Sequence, residues 1–432
     1  MKIKNQLFPI IFVIAIISCN NNTVVTNKVD PNVYNGKQID VDLTNNNICY
    51  SSTLYDTISY IKLETNPNCV IGVIDNILHI NNKFVIVDMT VAKSIFLFDS
   101  NGRFIKKIGV TGRGPQEYDS PDGVVYNKYR DEIIVWCNNL KKLLTYKLDG
   151  SFVSEIKLDW YIYALSVYDK NTLLLYFNNV VQSTLSKKDA FNFLFIDLKG
   201  NIIAKQAQIE IKPDMFSGPC KYSLISYKDF TLFTFPYENT IYTVYKDSSM
   251  VAKYFVNYGE RNIPNDLTTG KTFRQVNNEL TKMDVGILVK FLEADSFIYL
   301  ASRYKKTGIY SIYNKNSQSV LSYDKEINDL NTMFPSPIIT SISSDSLIGF
   351  CESNQFTSLQ KIYKKIAGDD KKIKAIIKER FEVIPKNKLT SNYLKAIDNA
   401  NLHLRQADIS FVNTINENDN PIIFIGQLKN GF

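Results

Sequence analysis

The sequence Ile95-Phe96-Leu97-Phe98-Asp99-Ser100-Asn101-Gly102-Arg103-Phe104-Ile105 contains two apolar segments separated by a short polar turn. Aromatic and β-branched residues favour strands, and a glycine after asparagine supplies the positive backbone φ angle that a tight hairpin turn needs. A further apolar run, residues 84–87, precedes this hairpin and ends at Asp88. The stretch therefore predicts three antiparallel strands that follow one another along the chain.

Units of this design recur along the chain. An aromatic residue ends the predicted third strand of each unit, at Phe98, Tyr146, Phe195, Tyr245, Tyr313 and Tyr363. The intervals are 48, 49, 50, 68 and 50 residues, and the longest marks an insertion at about 258–284, where a helix is predicted. A period near fifty with four short strands per unit is typical of a β-propeller. We predict an all-β fold, a six-bladed β-propeller with four-stranded antiparallel blades; a pair of packed sheets is the alternative.

The last unit determines how the ring closes. In it the sequence predicts strands at 347–351 and 359–363, followed by a short C-terminal helix at 392–403. A final apolar run at about 421–428 predicts one last strand. Because a strand is also predicted at 56–63, we expect the two ends of the chain to pair in one sheet, which removes exposed strand edges.

The N-terminus has the pattern of an export signal. Lys2 and Lys4 precede an apolar run at residues 7–17. That run is shorter than the roughly twenty residues that a membrane-spanning helix needs, and a charged start before a short apolar segment is typical of a secretory signal. We therefore expect residues 1–18 to be removed as a signal peptide.

The signal ends in Ile16-Ile17-Ser18-Cys19, which resembles the bacterial lipobox. The resemblance implies that Cys19 is acylated and becomes the mature N-terminus; a plain signal peptide with an incidental cysteine is the alternative. Two or three acyl chains hold a soluble domain on a membrane. We expect residues 19–50 to form the anchor and a flexible tether, and residues 51–432 to form the propeller. In lipoproteins of this kind an aspartate after the cysteine retains the protein at the inner membrane, and an acidic run promotes surface display. Neither follows Cys19, so the resemblance implies the periplasmic face of the outer membrane, with the cell surface as second choice.

Charge and composition exclude some classes of partner. The chain carries 50 basic and 43 acidic residues, and loss of Lys2 and Lys4 with the signal lowers its net charge of +7 by two. The adjacent basic residues are pairs spread along the chain: Lys106-Lys107, Lys141-Lys142, Lys187-Lys188, Lys305-Lys306 and Lys364-Lys365. Nucleic-acid binding needs a concentrated basic patch, so we expect no nucleic-acid partner.

Five cysteines remain besides Cys19, at positions 49, 69, 137, 220 and 351. Their number is odd and their spacing irregular, which predicts neither a disulfide framework nor a metal motif. We expect buried free cysteines; a bridge between Cys49 and Cys69 is the alternative.

Two passages point to a known family. The hairpin at residues 98–104 leads into Gly112-Arg113-Gly114-Pro115-Gln116-Glu117-Tyr118, and Asn420-Pro421 precedes the last predicted strand. These passages resemble those of bacterial six-bladed propeller lipoproteins of the Bacteroidetes, related to NHL-repeat and TolB-like propellers. The resemblance implies the propeller fold over nearly the whole mature chain. The later blades lack the glycine-rich crossing, so it implies no particular activity.

Five residues are candidates for ligand contact. Arg113, Glu117 and Tyr118 lie in the predicted crossing between blades one and two, and Arg303 and Tyr304 lie near a turn of blade five. Arginine makes bidentate contacts with carboxylates and phosphates. We predict that at least one of these groups borders the central channel and binds a protein, peptide or glycan. Local pairing of Arg113 with Glu117, and burial of the tyrosines in the core, are the alternatives.

Catalytic chemistry finds little support in the sequence. His79 and His403 are the two histidines of the chain, so a zinc centre built on several histidines is excluded. Neither lies in a G-x-S-x-G nucleophile motif. A calcium site made of Asp, Asn and Glu stays open, although no EF-hand spacing occurs. We predict a membrane-anchored binding module with no catalytic residue and no cofactor other than calcium; a calcium-dependent hydrolase or lyase and a structural subunit of an envelope complex are the alternatives.

Overall fold

The computed structural model describes residues 36–44, 48–182, 184, 190–209, 224–247, 249–331, 334–366, 371–382, 388–403 and 405–430. Within them the chain forms a six-bladed β-propeller with four-stranded antiparallel blades, as predicted. The predicted signal peptide, Cys19 and Cys220 lie outside the described residues.

The chain enters the fold through β1 (Lys37–Asp40), β2 (Ile48–Tyr50), α1 (Ser51–Leu54) and β3 (Tyr55–Lys62). Blade one consists of β4 (Asn76–Ile80), β5 (Lys83–Asp88), β6 (Ser94–Phe98) and β7 (Phe104–Lys107). Two short strands, β8 (Val110–Thr111) and β9 (Glu117–Tyr118), lie in the crossing that follows. Blade two consists of β10 (Gly123–Asn127), β11 (Glu132–Cys137), β12 (Lys142–Lys147) and β13 (Phe152–Lys157).

Blade three consists of β14 (Ala164–Asp169), β15 (Thr172–Tyr176), β16 (Phe191–Asp197) and β17 (Ile202–Gln208). Blade four consists of β18 (Leu224–Tyr227), β19 (Phe230–Phe233), β20 (Thr240–Val244) and β21 (Met250–Asn257). A 3₁₀ turn (Gly259–Arg261) and α2 (Phe273–Leu280) follow. Blade five consists of β22 (Gly286–Glu293), β23 (Phe297–Tyr304), β24 (Thr307–Asn314) and β25 (Val320–Tyr323).

Blade six is assembled from both ends of the chain. After β26 (Lys325–Ile327), the chain forms β27 (Ile338–Ser343) and β28 (Ser346–Cys351). In the described part of this segment, four helices follow: α3 (Ser353–Ile366), α4 (Lys371–Glu382), α5 (Lys388–Asn399) and α6 (Gln406–Asn413). The last strand, β29 (Ile422–Leu428), then lies between β28 and β3.

The hairpin turn of blade one shows why this sequence folds locally as predicted. The carboxylate of Asp99 accepts hydrogen bonds from the backbone N–H groups of Asn101 and Arg103, both at 2.9 Å. Gly102 has a φ of +79°, and a Cβ atom there would lie 2.2 Å from the carbonyl oxygen of Lys62. The glycine therefore permits both the turn and the close approach of blade six.

Six clusters of buried apolar side chains in the described chain are each shared by two consecutive blades. Between blades three and four, for example, the rings of Tyr176, Phe193 and Phe233 pack with centroids 4.7–5.1 Å apart. Each such side chain contributes roughly 1.5–3 kcal/mol when fully buried. The core is thus a ring of inter-blade clusters, and each blade depends on both neighbours.

The two chain ends close the ring, as the sequence predicts. In register, Phe424 of β29 is opposite Tyr60 of β3 and Gly349 of β28. The buried amide of Asn420 donates to the carbonyl oxygens of Glu64 and Cys69, both at 2.7 Å, and accepts the N–H of Ile71 at 2.8 Å. The predicted strand at 421–428 is confirmed, and Asn420 ties it to the crossing into blade one.

The third strand of blade six was predicted wrongly. Residues 359–363 lie inside α3, and β29 takes the third position instead. Leu359, Ile362, Tyr363 and Ile366 are all buried, with the spacing of three and four residues that one face of a helix requires. Tyr363 is therefore a helix residue, and its match to the period of fifty does not mark a strand.

A helical unit replaces the single C-terminal helix that the sequence predicted at 392–403. Helix α5 covers much of that range, and α3, α4 and α6 were not predicted. Phe356, Ile373, Ile397 and Val412 of these helices are buried in one cluster with Ile327 and Phe334, and Tyr60 packs against it. The helices therefore pack against blade six and β26.

The folded body begins earlier than the predicted boundary at residue 51. Strand β1 pairs in parallel with β21 at the outer edge of blade four, and β2 pairs in parallel with β26. Ile39, Val41 and Leu43 are buried between blades four and five. Residues 37–50, which the sequence assigned to the tether, thus include a strap along the rim of the propeller.

The insertion between blades four and five contains the predicted helix, α2. Thr272 begins it with a capping box, in which its side chain accepts the N–H of Gln275 at 3.4 Å and the Gln275 side chain accepts the N–H of Thr272 at 2.8 Å. Such a box satisfies two N–H groups that a helix start leaves free.

The described cysteines agree with the sequence prediction. Cys49, Cys69, Cys137 and Cys351 are all free and buried. A disulfide between Cys49 and Cys69, the alternative, is not formed.

Candidate functional site

The crossing between blades one and two holds the first predicted group. The side chain of Arg113 is 80% exposed and lies 3.6 Å from a carboxylate oxygen of Asp119. The carboxylate of Glu117 accepts the N–H of Gly114 at 2.8 Å. Glu117 therefore shapes its own loop, and the predicted local pairing of Arg113 occurs with Asp119 instead of Glu117.

Tyr118 is a core residue. Its ring is 1% exposed, and its hydroxyl donates to the carbonyl oxygen of Ile108 at 2.7 Å and accepts the N–H of Ile95 at 3.3 Å. Burial raises the pKa of this hydroxyl. The prediction that Tyr118 touches a ligand is corrected: the ring fills the space between blades one and two.

The second predicted group lies at the turn between β23 and β24. Arg303 is exposed. The hydroxyl of Tyr304 accepts a hydrogen bond from Nε of Arg261 at 3.0 Å, and the Nζ of Lys305 lies 4.9 Å from the centre of its ring. Asp284 lies 3.3 Å from Lys305 and 3.6 Å from Arg261. Tyr304 is thus held within a charged surface cluster.

The two predicted groups belong to different blades. The antiparallel order places inter-blade crossings and second-to-third-strand turns at the same end of the propeller. Among the described residues, no hydrogen bond, ion pair or ring contact links Arg113 or Glu117 to Arg303 or Tyr304. That Arg113, Glu117, Arg303 and Tyr304 contact a partner stays a prediction.

A cleft between blades five and six is the strongest candidate site. Its volume is about 540 Å³, within the usual range for small-molecule sites. We call it the blade five–six cleft. Five tyrosines, two acidic residues, two lysines and several apolar residues line it: Tyr55, Tyr299, Tyr310, Tyr323, Tyr393, Asp324, Glu326, Lys290, Lys325, Val289, Ala301, Ser336, Pro337, Ile338 and Ile339.

Asp324 is the most unusual group in this cleft. It follows β25 and precedes β26. Both of its carboxylate oxygens are buried, and neither has a hydrogen-bond partner from another described residue. Burial raises the pKa of Asp324, an effect that Lys325 partly opposes. Buried polar groups are nearly always hydrogen-bonded, so an unpaired carboxylate calls for an explanation.

Glu326 supplies a second carboxyl group that is poorly solvated. Burial raises its pKa to about 7; the hydroxyl of Ser51, which donates to it, opposes the rise, and the nearby carboxylate of Asp329 adds to it. Asp329 in turn accepts the N–H and the hydroxyl of Ser52, at 2.8 and 2.5 Å. The strap through β2 and α1 thus holds the acidic segment in place.

The two lysines of the cleft are engaged by the protein itself. The ammonium group of Lys290 donates to the carbonyl oxygen of Ile339 at 2.7 Å, which links the inner strands of blades five and six. The ammonium group of Lys325 lies 5.3 Å from the centre of the Tyr393 ring, on helix α5. Neither lysine donates a hydrogen bond to Asp324, although the charge of Lys325 favours the ionised form of that carboxylate.

The raised pKa of Glu326 predicts a pH effect on stability. Since the folded state holds this proton up to about pH 7 and the unfolded chain loses it near pH 4.3, the contribution of Glu326 is present at low pH and is lost as pH rises between these values. As pH rises from 4.5 to 8, we expect the free energy of unfolding of Glu326→Gln to increase by about 2–3 kcal/mol relative to that of the wild type. Urea unfolding across this range measures the difference, with exposed Glu417→Gln as control. A difference that does not vary with pH would show that the carboxyl is not desolvated.

No group of three or more His, Cys, Asp or Glu that could hold a metal occurs in the described part of the chain. His79 of β4 lies against blade six, where its Nδ1 is 2.9 Å from the hydroxyl of Ser343 and its ring stacks on Phe84. Burial lowers the pKa of His79. This histidine therefore takes part in ring closure.

The cleft was not predicted, because its walls come from distant parts of the sequence. Tyr55 belongs to β3, Tyr299 and Tyr310 to blade five, and Tyr393 to α5. The local signal was the pair of acidic residues at 324 and 326, directly after the last strand of blade five. An acidic pair at a blade crossing is common on a polar surface, so only the fold shows that these carboxyl groups are buried.

A family model described as "Domain of unknown function (DUF4934)" matches residues 36–382. The chain belongs to the DUF4934 family. The match begins just before β1 and ends in α4, so it includes the strap, most of the propeller and the whole acidic segment of the cleft. A search of the curated proteins finds no match to this DUF4934 chain.

Three solved structures resemble this chain to different degrees, and one of them shares its fold. A Bacteroides fragilis protein named as a candidate exported protein matches with a TM-score of 0.67 and 18% identity, over 91% of this chain and 99% of that one. A Bacteroides vulgatus member of the duf4221 family has a TM-score of 0.46 and 13% identity, over 69% and 92% of the two chains. A streptogramin B lyase has a TM-score of 0.36 and 12% identity, over 68% of this chain and 80% of that one. At these identities the likeness concerns the fold alone, and the last two scores support no argument.

None of the helices in the described ranges has the length and apolar character that crossing a membrane requires.

Proposed function

We propose that this DUF4934 protein is an exported lipoprotein whose propeller binds a small ligand in the blade five–six cleft. The observation that carries the proposal is the buried, unpaired carboxylate of Asp324 in a cleft of about 540 Å³. An unsatisfied buried acceptor costs roughly 1–3 kcal/mol or more if charged. A ligand that donates hydrogen bonds to Asp324 removes this cost.

The shape of the cleft supports binding of a small molecule. Its deep walls are rigid, since Tyr55, Tyr299 and Tyr323 are 1–5% exposed. Its mouth is apolar, with Val289 and Ile338 at 50% and 57% exposure. Ligand sites typically combine such walls with a few well-placed polar groups.

The envelope location in this proposal rests on the N-terminal sequence. The signal pattern and Cys19 resemble those of bacterial lipoproteins, and a protein of similar fold is named as a candidate exported protein. The first described strand, β1, lies on the outer edge of blade four. A lipid at Cys19 would tether the propeller by its rim, at the periplasmic face of the outer membrane.

Blocking the mouth of the cleft tests the binding function. Full-length protein purified from native envelopes is expected to retain a small molecule, which mass spectrometry of the denatured sample detects. Val289→Trp fills the mouth and is expected to reduce the retained amount at least about tenfold. Val251→Trp, at a 45% exposed position on β21 of blade four, is the matched control and should retain the molecule. Equal retention by both variants, or none by the wild type, would contradict the proposal.

Replacing the anchoring cysteine tests the location. Cys19→Ser is expected to abolish labelling by radioactive palmitate and to move the protein from the membrane to the soluble or uncleaved fraction, because the acyl chains supply the membrane affinity. Cys49→Ser, at a buried body cysteine, serves as control. A Cys19→Ser protein that still labels and sediments with membranes would refute the lipid anchor.

A further inference from the structure

We infer that the ligand of the blade five–six cleft is a small organic cation, which carries an ammonium group and binds between tyrosine rings and the carboxylate of Asp324. The inference rests on the proposed binding function and specifies the chemical class of its ligand.

Tyrosine rings dominate the cleft. Tyr299 and Tyr310 stack at 6.3 Å between ring centres, and Tyr310 and Tyr323 follow at 5.7 Å. Tyr310 is 38% exposed and stands nearer the mouth, whereas Tyr299 and Tyr323 are almost fully buried. The faces of aromatic rings attract cations, most strongly where water is excluded. The aromatic wall therefore extends from the solvent to the depth of the cleft.

The unpaired carboxylate of Asp324 favours a positive ligand. Lys290 and Lys325 are committed to the Ile339 carbonyl and the Tyr393 ring, while the oxygens of Asp324 have no hydrogen-bond partner from another described residue. An ammonium group donates up to three hydrogen bonds and accepts none, so it matches an unpaired carboxylate. Hydrogen bonds between charged partners are roughly twice as strong as neutral ones.

Other ligand classes fit these groups less well. An anion would meet the carboxyl groups of Asp324 and Glu326 without a free arginine among the residues that line the cleft. A neutral molecule could donate to Asp324, but its hydrogen bonds would be weaker than those of an ammonium group. A cation satisfies the carboxylate and uses the tyrosine faces at the same time.

Two pairs of probes separate charge from shape. Isothermal titration calorimetry of the full protein, freed of any retained molecule by denaturation and refolding, compares 1,5-diaminopentane with 1,5-pentanediol and 2-phenylethylamine with 2-phenylethanol. We expect at least one cation to bind about tenfold or more tightly than its neutral counterpart. Asp324→Asn should remove that preference, whereas Asp56→Asn, at an exposed residue beside Tyr55, should preserve it.

The outcomes distinguish this inference from the proposed function. If neutral probes bind as well as their cations, or if no cation binds, the cation assignment is wrong, while a molecule retained by wild type and lost in Val289→Trp would still support the cleft as a binding site. If a cation binds equally to wild type and Asp324→Asn, the carboxylate is not its partner and the inference also fails. If the wild-type protein neither retains a molecule nor binds any probe, both the proposed function and the cation assignment are wrong.

Discussion

Truncation of the chain after Asp419 will abolish cooperative folding of the propeller. The deletion removes β29, which lies between β28 and β3, so both neighbours lose a hydrogen-bonded partner. Ile422, Ile423, Phe424 and Leu428 are at most 3% exposed, and their burial together contributes about 6–12 kcal/mol. A typical domain is stable by only about 5–15 kcal/mol.

Thermal unfolding followed by circular dichroism and calorimetry measures this effect. We expect the truncated protein to show no cooperative transition, or to be recovered only as aggregate, because loss of β29 exposes the edges of β28 and β3. A chain ending at Asn430 is the matched control, since it keeps β29 and the hydrogen bond from the Lys429 N–H to the Leu54 carbonyl. A truncated protein with the wild-type unfolding temperature would refute ring closure by the two chain ends.

Glu293→Ala will destabilise the junction of blades four and five by about 3–5 kcal/mol, as expected when one partner of a buried ion pair is removed. The side chain of Glu293 is 2% exposed and lies 2.6 Å from the ammonium of Lys315 and 2.9 Å from that of Lys253. It also accepts the hydroxyl of Tyr254 at 2.9 Å. The substitution leaves two ammonium groups and a phenol without their shared carboxylate.

An exposed ion pair supplies the comparison for this prediction. Glu279 of α2 lies 2.6 Å from Lys271, with side chains 38% and 30% exposed. Such pairs contribute about 0–1 kcal/mol, so Glu279→Ala should lower the urea midpoint only slightly. If Glu293→Ala and Glu279→Ala lower the free energy of unfolding equally, the buried network contributes no more to stability than a surface ion pair.

The blades could be predicted from the sequence because their signals are local. A turn such as that at Asp99 and Gly102 is specified by a carboxylate that binds nearby N–H groups and by a glycine with positive φ. The apolar runs on either side have the length of strands, and they repeat. Ring closure could be predicted because a strand was predicted at each end of the chain and an unpaired strand edge is unfavourable.

The errors arose where the position of a residue within the repeat was given more weight than its own surroundings. Leu359, Ile362 and Tyr363 have helical spacing, yet Tyr363 lies fifty residues after Tyr313 and was assigned to a strand. Tyr118 was placed at a surface because it lies in a crossing, but its ring is enclosed between two blades. In both cases a residue that is far away in sequence supplies the packing that decides its place.

The candidate site could hardly be predicted, for a physical reason. Asp324 and Glu326 look like an ordinary surface pair until β2, α1 and helix α5 cover them. Their burial, and hence the raised pKa of both carboxyl groups, depends on segments from residue 48 to residue 399. Sequence patterns predict strands and turns well, but they do not show which carboxyl group is shielded from solvent in the folded protein.

A crystal structure of the protein purified from native envelopes, without removal of bound molecules, tests the central claim most directly. We predict electron density for a small molecule in the blade five–six cleft, with a nitrogen within about 3 Å of an oxygen of Asp324. Asp324→Asn protein prepared in the same way should lack that density. An empty cleft in which a residue of the chain itself donates to Asp324, or a ligand bound at another place on the propeller, would contradict the account.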